Sequence, residues 1–260
     1  MFSLTSRSIH GTAFALILAL GSTASLSLEA HLPIKNIVLV HGAFADATSW
    51  SKVIPILERK GYHVVAVQNP LTSLTLDVAA TMRAVALQDG PVLLVAHSWG
   101  GVVITQAGND PKVVGLVYVS AYAPDAGQSA NDASSPYGWT EGQKQIRLDN
   151  AKFASMTFQG VAEDIAQCLS PADQRLFFAV QGQSYGPMFD EKISVAAWKV
   201  KPSWVLISAN DRMLPPAMEM AEVSRLNAVA TMTLSTCHMS ILEQADNVAA
   251  FIDAAAKTQR

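Results

Sequence analysis

The sequence predicts an α/β fold: an open, mostly parallel six-stranded sheet with helices on both faces and a helical cap inserted after the fourth strand. Three observations carry this expectation. Short runs of β-branched and other apolar residues recur without polar alternation, the pattern of strands covered on both faces. Helical periodicity fills the intervals between them, as parallel strands joined by crossovers require. One interval of about eighty residues far exceeds the ~2–6 residues of an ordinary α/β connection.

In chain order, the strand runs are 37–40, 64–67, 92–96, 114–120, 204–208 and 231–235. Helical spacing marks 50–60, 75–87, 102–107, 217–226 and 246–255. The long interval falls between the fourth and fifth runs, which places a cap at 124–200 between core segments 25–123 and 201–260. The cap is rich in aromatic residues, among them Tyr137, Trp139, Phe177, Phe189 and Trp198. Most of these are expected to fill the cap's own small core, and two or three turned toward the sheet would suffice to shape a pocket.

Composition excludes several classes. Half of the residues are hydrophobic, 15% are charged and the formal net charge is −3. A disordered chain and an electrostatic nucleic-acid binder are both excluded on that balance. Cys168 and Cys237 are the two cysteines, too few for a disulfide scaffold or a four-cysteine zinc site. No histidine cluster suggests a metal, and nothing calls for a cofactor. Residues 1–24 read as a secretory signal: Arg7, an apolar run over 12–20, then the small residues Ser22, Thr23 and Ala24. The run is shorter than the ~20 residues that span a bilayer, so cleavage after Ala24 and export to a periplasmic or extracellular compartment are expected, with no membrane anchor afterwards.

The chemistry is concentrated where the third strand ends. Ala96, His97, Ser98, Trp99, Gly100 and Gly101 lead from strand into helix, and a serine flanked by small residues at such a turn is a nucleophile elbow. Small neighbours are needed because the sharp turn forces the strand and helix backbones together. Alanine replaces the first glycine, a mild departure. A serine hydroxyl attacks only when a base takes its proton, so a histidine oriented by a carboxylate must follow. Of the six histidines, His238 alone follows the last strand, at the carboxyl edge where open parallel sheets carry their sites. Asp211, after the fifth strand, is the acid, with Asp125 after the fourth as its rival. The developing oxyanion needs two backbone N–H donors. Trp99 supplies one and Ala43, in the loop after the first strand, the other, with Phe44 the runner-up. The side chains of Phe44, Trp99 and Met239 are pocket candidates.

These segments together resemble the α/β-hydrolase superfamily, and more narrowly its group of plant methyl esterases, hydroxynitrile lyases and related bacterial carboxylesterases. The resemblance rests on residues 38–43, 96–101, Tyr122 through Asp125, Asn210 with Asp211, and 238–242. It implies Ser98, Asp211 and His238 as catalytic residues under a helical cap, acting on small carboxylic esters without a cofactor. The lyases of that group place lysine after the histidine, where this chain has Met239, which favours the esterase branch. A lactonase or cofactor-free lyase on the same fold, and a ligand-binding protein with residual hydrolase activity, are the alternatives. The oligomeric state is left open. The plainer reading of the cysteines is two buried thiols. Export would permit a bridge if their Cα atoms approached within ~7 Å.

Overall fold

The computed structural model describes Met1 and residues 34–258. The expected export segment, beyond its first residue, therefore lies outside the described residues. The chain begins with β1 (Asn36–Val40), α1 (Ile54–Arg59), β2 (His63–Val67), α2 (Leu74–Ala86), β3 (Val92–Ser98), α3 (Gly100–Ala107) and β4 (Val113–Ala121). An insertion follows, with α4 (Ala130–Ser134), β5 (Ile146–Leu148), β6 (Phe153–Met156), a single turn α5 (Phe158–Gly160), α6 (Pro171–Val180) and β7 (Ser184–Tyr185). The core resumes with β8 (Ser203–Ser208), α7 (Pro216–Arg225), β9 (Ala230–Leu234), α8 (Ser240–Glu243) and α9 (Ala245–Thr258).

The main sheet has the order β2-β1-β3-β4-β8-β9, and every pairing in it is parallel. The apolar runs explain which strands are central. Every residue of β1, β3 and β8 is buried, whereas β2 and β9 at the edges expose residues to water. The covering helices show the complementary spacing. Val248, Phe251, Ile252 and Ala255 of α9 are buried at intervals of three and four, the stripe that lets a helix seal a sheet face. Its Asp253 binds back across the sequence, accepting from Tyr62 Oη at 2.7 Å and Lys60 Nζ at 3.0 Å. No helix among the described residues is long and apolar enough to cross a membrane.

After β1 the chain moves outward to β2, then returns to the other side of β1 for β3. The strand order reverses there, so the connections leaving β1 and β3 diverge and open a crevice at their carboxyl ends. The sequence that follows β1 begins with His41 and Gly42, and β3 ends on Ser98.

The insertion departs from expectation in being helical only in part. β5, β6 and β7 form a three-stranded antiparallel sheet. Phe153 to Met156 alternate between half-buried and buried, a period of two too short to stand out in the sequence. The turn before them is set by Asp149, whose Oδ1 accepts from the N–H groups of Ala151 and Phe153 at 2.9 and 2.8 Å. Met156, Val161, Ile165 and Phe177 make the insertion's apolar interior. A second departure concerns the cysteines. Cys168 and Cys237 are joined in a disulfide with their Cα atoms 5.6 Å apart, which replaces the reading of two buried thiols and ties the insertion to the residue before His238.

Candidate active site

Ser98 ends β3 with φ +55°, a left-handed conformation that a side-chain-bearing residue keeps only where its surroundings impose it. Those surroundings are glycines. A Cβ on Gly100 would lie 2.5 Å from the Val40 carbonyl oxygen, and one on Gly42 would lie 2.7 Å from Ser98 Cβ. The loop after β1 and the turn after β3 are thereby pressed together, with Ser98 Oγ on the side of Gly42. Ala96, where a glycine was the alternative, is fully buried, and the strand pairing accommodates its methyl group.

Asp211 and His238 are brought together from the ends of β8 and β9. Asp211 Oδ1 accepts from the N–H groups of Met213 and Leu214 at 2.7 and 2.8 Å, and Oδ2 accepts from His238 Nδ1 at 2.6 Å. Three donors fix the carboxylate, and the carboxylate fixes the imidazole with its proton on Nδ1, leaving Nε2 as the basic nitrogen. No hydrogen bond joins Ser98 Oγ to His238 among the described contacts; such bonds often tighten only when substrate is bound. Asp125, the rival acid, stands apart at the surface in an ion pair with Lys199 at 2.5 Å.

Two further histidines, which sequence reasoning left as neighbours, brace the site. His97 donates from Nε2 to the carbonyl of His238 at 2.8 Å, and the two rings lie 4.5 Å apart. Burial, reinforced by His238, pushes the His97 pKa well below the ordinary histidine value. His97 is therefore neutral, and it does not oppose the positive charge that a general base acquires. His41 donates from Nδ1 to the Gly42 carbonyl at 2.8 Å and accepts the Asn69 N–H on Nε2 at 3.0 Å. That pairing requires a neutral ring, consistent with the lowering of its pKa by burial. Glu219, fully buried, is likewise held neutral, by burial first and then by the nearby Asp211 and Glu222.

The backbone donors sort themselves by what already occupies them. The Phe44 N–H is taken by Ser184 Oγ at 3.2 Å. Neither Ala43 nor Trp99 has its N–H in a hydrogen bond among the described residues, so these two remain available to an incoming oxygen.

The pocket candidates divide. A cavity of about 710 Å³ is formed largely by the insertion, with Phe44 and Tyr122 of the core joining Trp139, Ile146, Leu148 and Phe189 in its wall; Ser98, Asp211 and His238 do not line it. Phe44 is where the sequence reading put it. The Trp99 ring is fully buried and does not line the cavity, because its indole N–H is bound to Asp77 and Phe189 closes over it with ring centroids 5.3 Å apart. Met239 is also fully buried, at the start of α8, and does not line the cavity. Ser184 and Asp77 are the contributors that the sequence did not single out, while Phe189, one of the cap aromatics, and Tyr122 both line the cavity.

Comparison with known proteins agrees with this architecture. A family model described as the alpha/beta hydrolase family matches residues 37–251. The probable hydrolase R7 of a Phoma species is 33% identical over 152 residues, half of this chain and 62% of that protein. Methylesterase 7 of Arabidopsis thaliana is 34% identical over 35% of this chain and 41% of its own length. The chain thus spans less than two thirds of these curated relatives. Salicylic acid-binding protein 2 of Nicotiana tabacum is matched more fully, at 24% identity over 80% of this chain and 92% of that one. Among solved structures, polyneuridine aldehyde esterase superposes with a TM-score of 0.76 at 20% identity, covering 85% of this chain and 99% of that one. A pyrethroid hydrolase from Sphingobium faniae JZ-2 gives 0.74 at 20% identity, covering 86% and 98%.

Proposed function

Since the chain belongs to the alpha/beta hydrolase family over residues 37–251, we propose that it is a serine carboxylesterase, cleaving small carboxylic esters through an acyl-enzyme. Ser98 Oγ attacks the ester carbonyl carbon as His238 Nε2 takes its proton. The carbonyl oxygen becomes an oxyanion received by the N–H groups of Ala43 and Trp99. His238 returns the proton to the departing alcohol as the C–O bond breaks, leaving the acyl group on Ser98. A water molecule, deprotonated by His238, then releases the acid by the same sequence in reverse. Asp211 holds the imidazole in the required tautomer and balances the imidazolium.

The observation that carries this reading is the pairing of His238 with Asp211 at 2.6 Å beside a serine in a left-handed elbow. The unoccupied Ala43 and Trp99 donors support it further. Phe44, which follows Ala43 in the chain, links the elbow to the roughly 710 Å³ cavity, and the aromatic and aliphatic side chains in its wall favour an ester with one bulky apolar group. Relatives whose names speak of methyl esters, carbendazim and pyrethroids favour the same class. Export also belongs to this proposal, supported by the Cys168–Cys237 bond, which is characteristic of oxidising compartments. Signal cleavage is checked by the N-terminal sequence of secreted protein.

A fluorophosphonate should label Ser98 at one equivalent, and Ser98→Ala should lower kcat by about a million-fold, the scale of losing a triad serine. Labelling at another residue, or a variant that keeps a tenth of the activity, refutes the assignment. A panel of p-nitrophenyl and methyl esters of graded size, run beside lactones and cyanohydrins, separates the esterase from the alternatives.

A further inference from the structure

Asp77 lies within α2, fully buried and outside the residues assigned above to bond making. Its two oxygens serve different parts of the site. Oδ2 accepts the indole Nε1–H of Trp99 at 2.8 Å, and Oδ1 accepts the backbone N–H of Leu71 at 2.8 Å. The first bond anchors the residue whose own backbone N–H faces the oxyanion position. The second leads to the other donor. Leu71, at φ +54°, accepts the Tyr185 N–H on its carbonyl at 2.8 Å. Ser184, next in the chain, holds the Phe44 N–H through Oγ, beside Ala43. Phe189 packs against both Trp99 and Phe44, with centroids at 5.3 and 6.2 Å.

We propose that Asp77 is a positioning residue for the oxyanion hole, setting the Trp99 donor directly and the Ala43 donor through Leu71, Tyr185 and Ser184. The inference rests on the acyl-enzyme reading of Ser98. A carboxylate is the side chain suited to this place because it offers two acceptors and no donor toward two N–H groups. An asparagine in the same shape would turn an NH₂ toward one of them. Burial raises the Asp77 pKa to about 6 against the opposing pull of its two hydrogen bonds, with Glu191 as the charged neighbour. Such a group is unfavourable in a helix that serves packing alone, and perturbed carboxylates of this kind gather at functional sites.

The test compares Asp77→Asn, Trp99→Phe and the double variant, each first titrated with a fluorophosphonate to count competent Ser98. Trp99→Phe keeps an aromatic ring and removes only the indole donor. Deleting an oxyanion donor outright costs ~100- to 1000-fold in kcat, so a misplaced donor should cost about ten- to a hundredfold. Full labelling is expected in every variant, with kcat for p-nitrophenyl butyrate lowered on that scale, KM within about threefold, and affinity for an alkyl trifluoromethyl ketone falling in proportion to kcat. The Trp99 bond can be lost only once and Asp77→Asn acts also through Leu71, so the double variant's loss should not exceed the product of the two single losses. A merely structural role would lower the labelled fraction or the melting temperature and spare the kcat of the labelled molecules. The proposal is overturned by kcat within twofold of the parent at full labelling, by a loss confined to KM, or by a double-variant loss that exceeds the product of the single ones. If Asp77→Asn does not fold, Trp99→Phe decides alone by the same criteria. A parent protein that fails to label at Ser98 overturns the esterase reading instead, and is recognised before any variant is compared.

Discussion

Replacing Cys168 and Cys237 together by alanine removes the one covalent link, among the described residues, between the insertion and the loop that carries His238. The size of the effect follows from their separation of 69 positions in the chain. In the chain-entropy treatment, closing a loop of that length stabilises the folded state by about 4 kcal/mol, through restriction of the unfolded chain. Domains of this kind are stable by ~5–15 kcal/mol in all, so the loss is a large fraction of the total. At ~2–4 °C per kcal/mol for a domain this long, the melting temperature should fall by roughly 8–16 °C. Catalysis should respond much less. His238 is still held by the Asp211 carboxylate and by His97 at its carbonyl, and the Cys237 N–H is still bound by Glu243 Oε2 at 3.2 Å. At 25 °C, kcat should therefore stay within about threefold. Guanidinium titration of parent and variant gives the stability difference, provided the slope m is unchanged. A difference below about 1 kcal/mol, or two reactive thiols in the unfolded parent before reduction, would refute the reasoning.

Three other outcomes follow from the same contacts. Asp211→Asn should lower kcat by about ten-thousand-fold, because the amide no longer fixes the Nδ1–H tautomer, whereas Asp125→Asn, which disturbs only the surface pair with Lys199, should stay within about tenfold; steady-state rates on one ester separate the two. Ser184→Ala frees the Phe44 N–H and should lower kcat about tenfold with little change in KM, a result contradicted by unaltered kinetics in a folded variant. Burial alone would raise the pKa of Asp253, but hydrogen bonds from Lys257, Tyr62 and Lys60 outweigh it and hold it at about 2. Its folded value lies below the unfolded ~3.9. The stabilisation is thus complete above pH ~4 and is lost as pH falls through about 2. Asp253→Asn should destabilise the protein by up to ~2 kcal/mol at pH 7 and flatten the stability profile between pH 4 and 2, as measured by urea unfolding.

The legible parts of the molecule were those governed by local pattern. Uninterrupted apolar runs marked β1, β3, β4 and β8 because a strand covered on both faces has no polar side to obscure it, whereas the edge strands β2 and β9, which expose residues, were marked by β-branched content and position. The pairing of Asp211 with His238 was legible because each follows a strand run and the topology sets those two strands side by side, and the turn at Ser98 because it ends the third. What escaped depends on approach between distant segments. That the Phe44 N–H is already taken could not be read from the sequence, since its acceptor Ser184 lies 140 positions away. Trp99 and Met239 are apolar and adjoin Ser98 and His238, yet apolar character does not distinguish a side chain that walls a cavity from one sealed behind it. Asp77 in the first turn of a helix looks like ordinary dipole compensation. The cysteines gave no sign of meeting, since a separation of 69 residues says nothing of a Cα approach to 5.6 Å.

An insertion on a hydrolytic core is commonly treated as a lid that selects substrates and leaves the chemistry to the sheet. Here the contacts argue for a closer dependence. Ser184 orders the loop that carries Ala43, Tyr185 binds Leu71, Phe189 closes over Trp99, Glu191 Oε2 accepts the Leu74 N–H at 3.0 Å, and Cys168 is bonded beside His238. Phe189 falls on Trp99 itself and Glu191 on Asp77's helix, while Ser184 and Tyr185 act on Phe44 and Leu71, the neighbours of the proposed Ala43 donor and of that helix. Replacing residues 124–200 by a short linker should therefore do more than broaden the range of esters accepted. The Asp211–His238 pair, built wholly from the core, should survive, while the Ala43 and Trp99 donors lose their bracing. The rate of fluorophosphonate labelling, which needs the oxyanion donors but little of the cavity, should then fall by at least tenfold in the folded remnant. If instead the remnant labels at the parental rate and differs only in its ranking of esters, the insertion acts on selection alone and the oxyanion hole is ordered by the core.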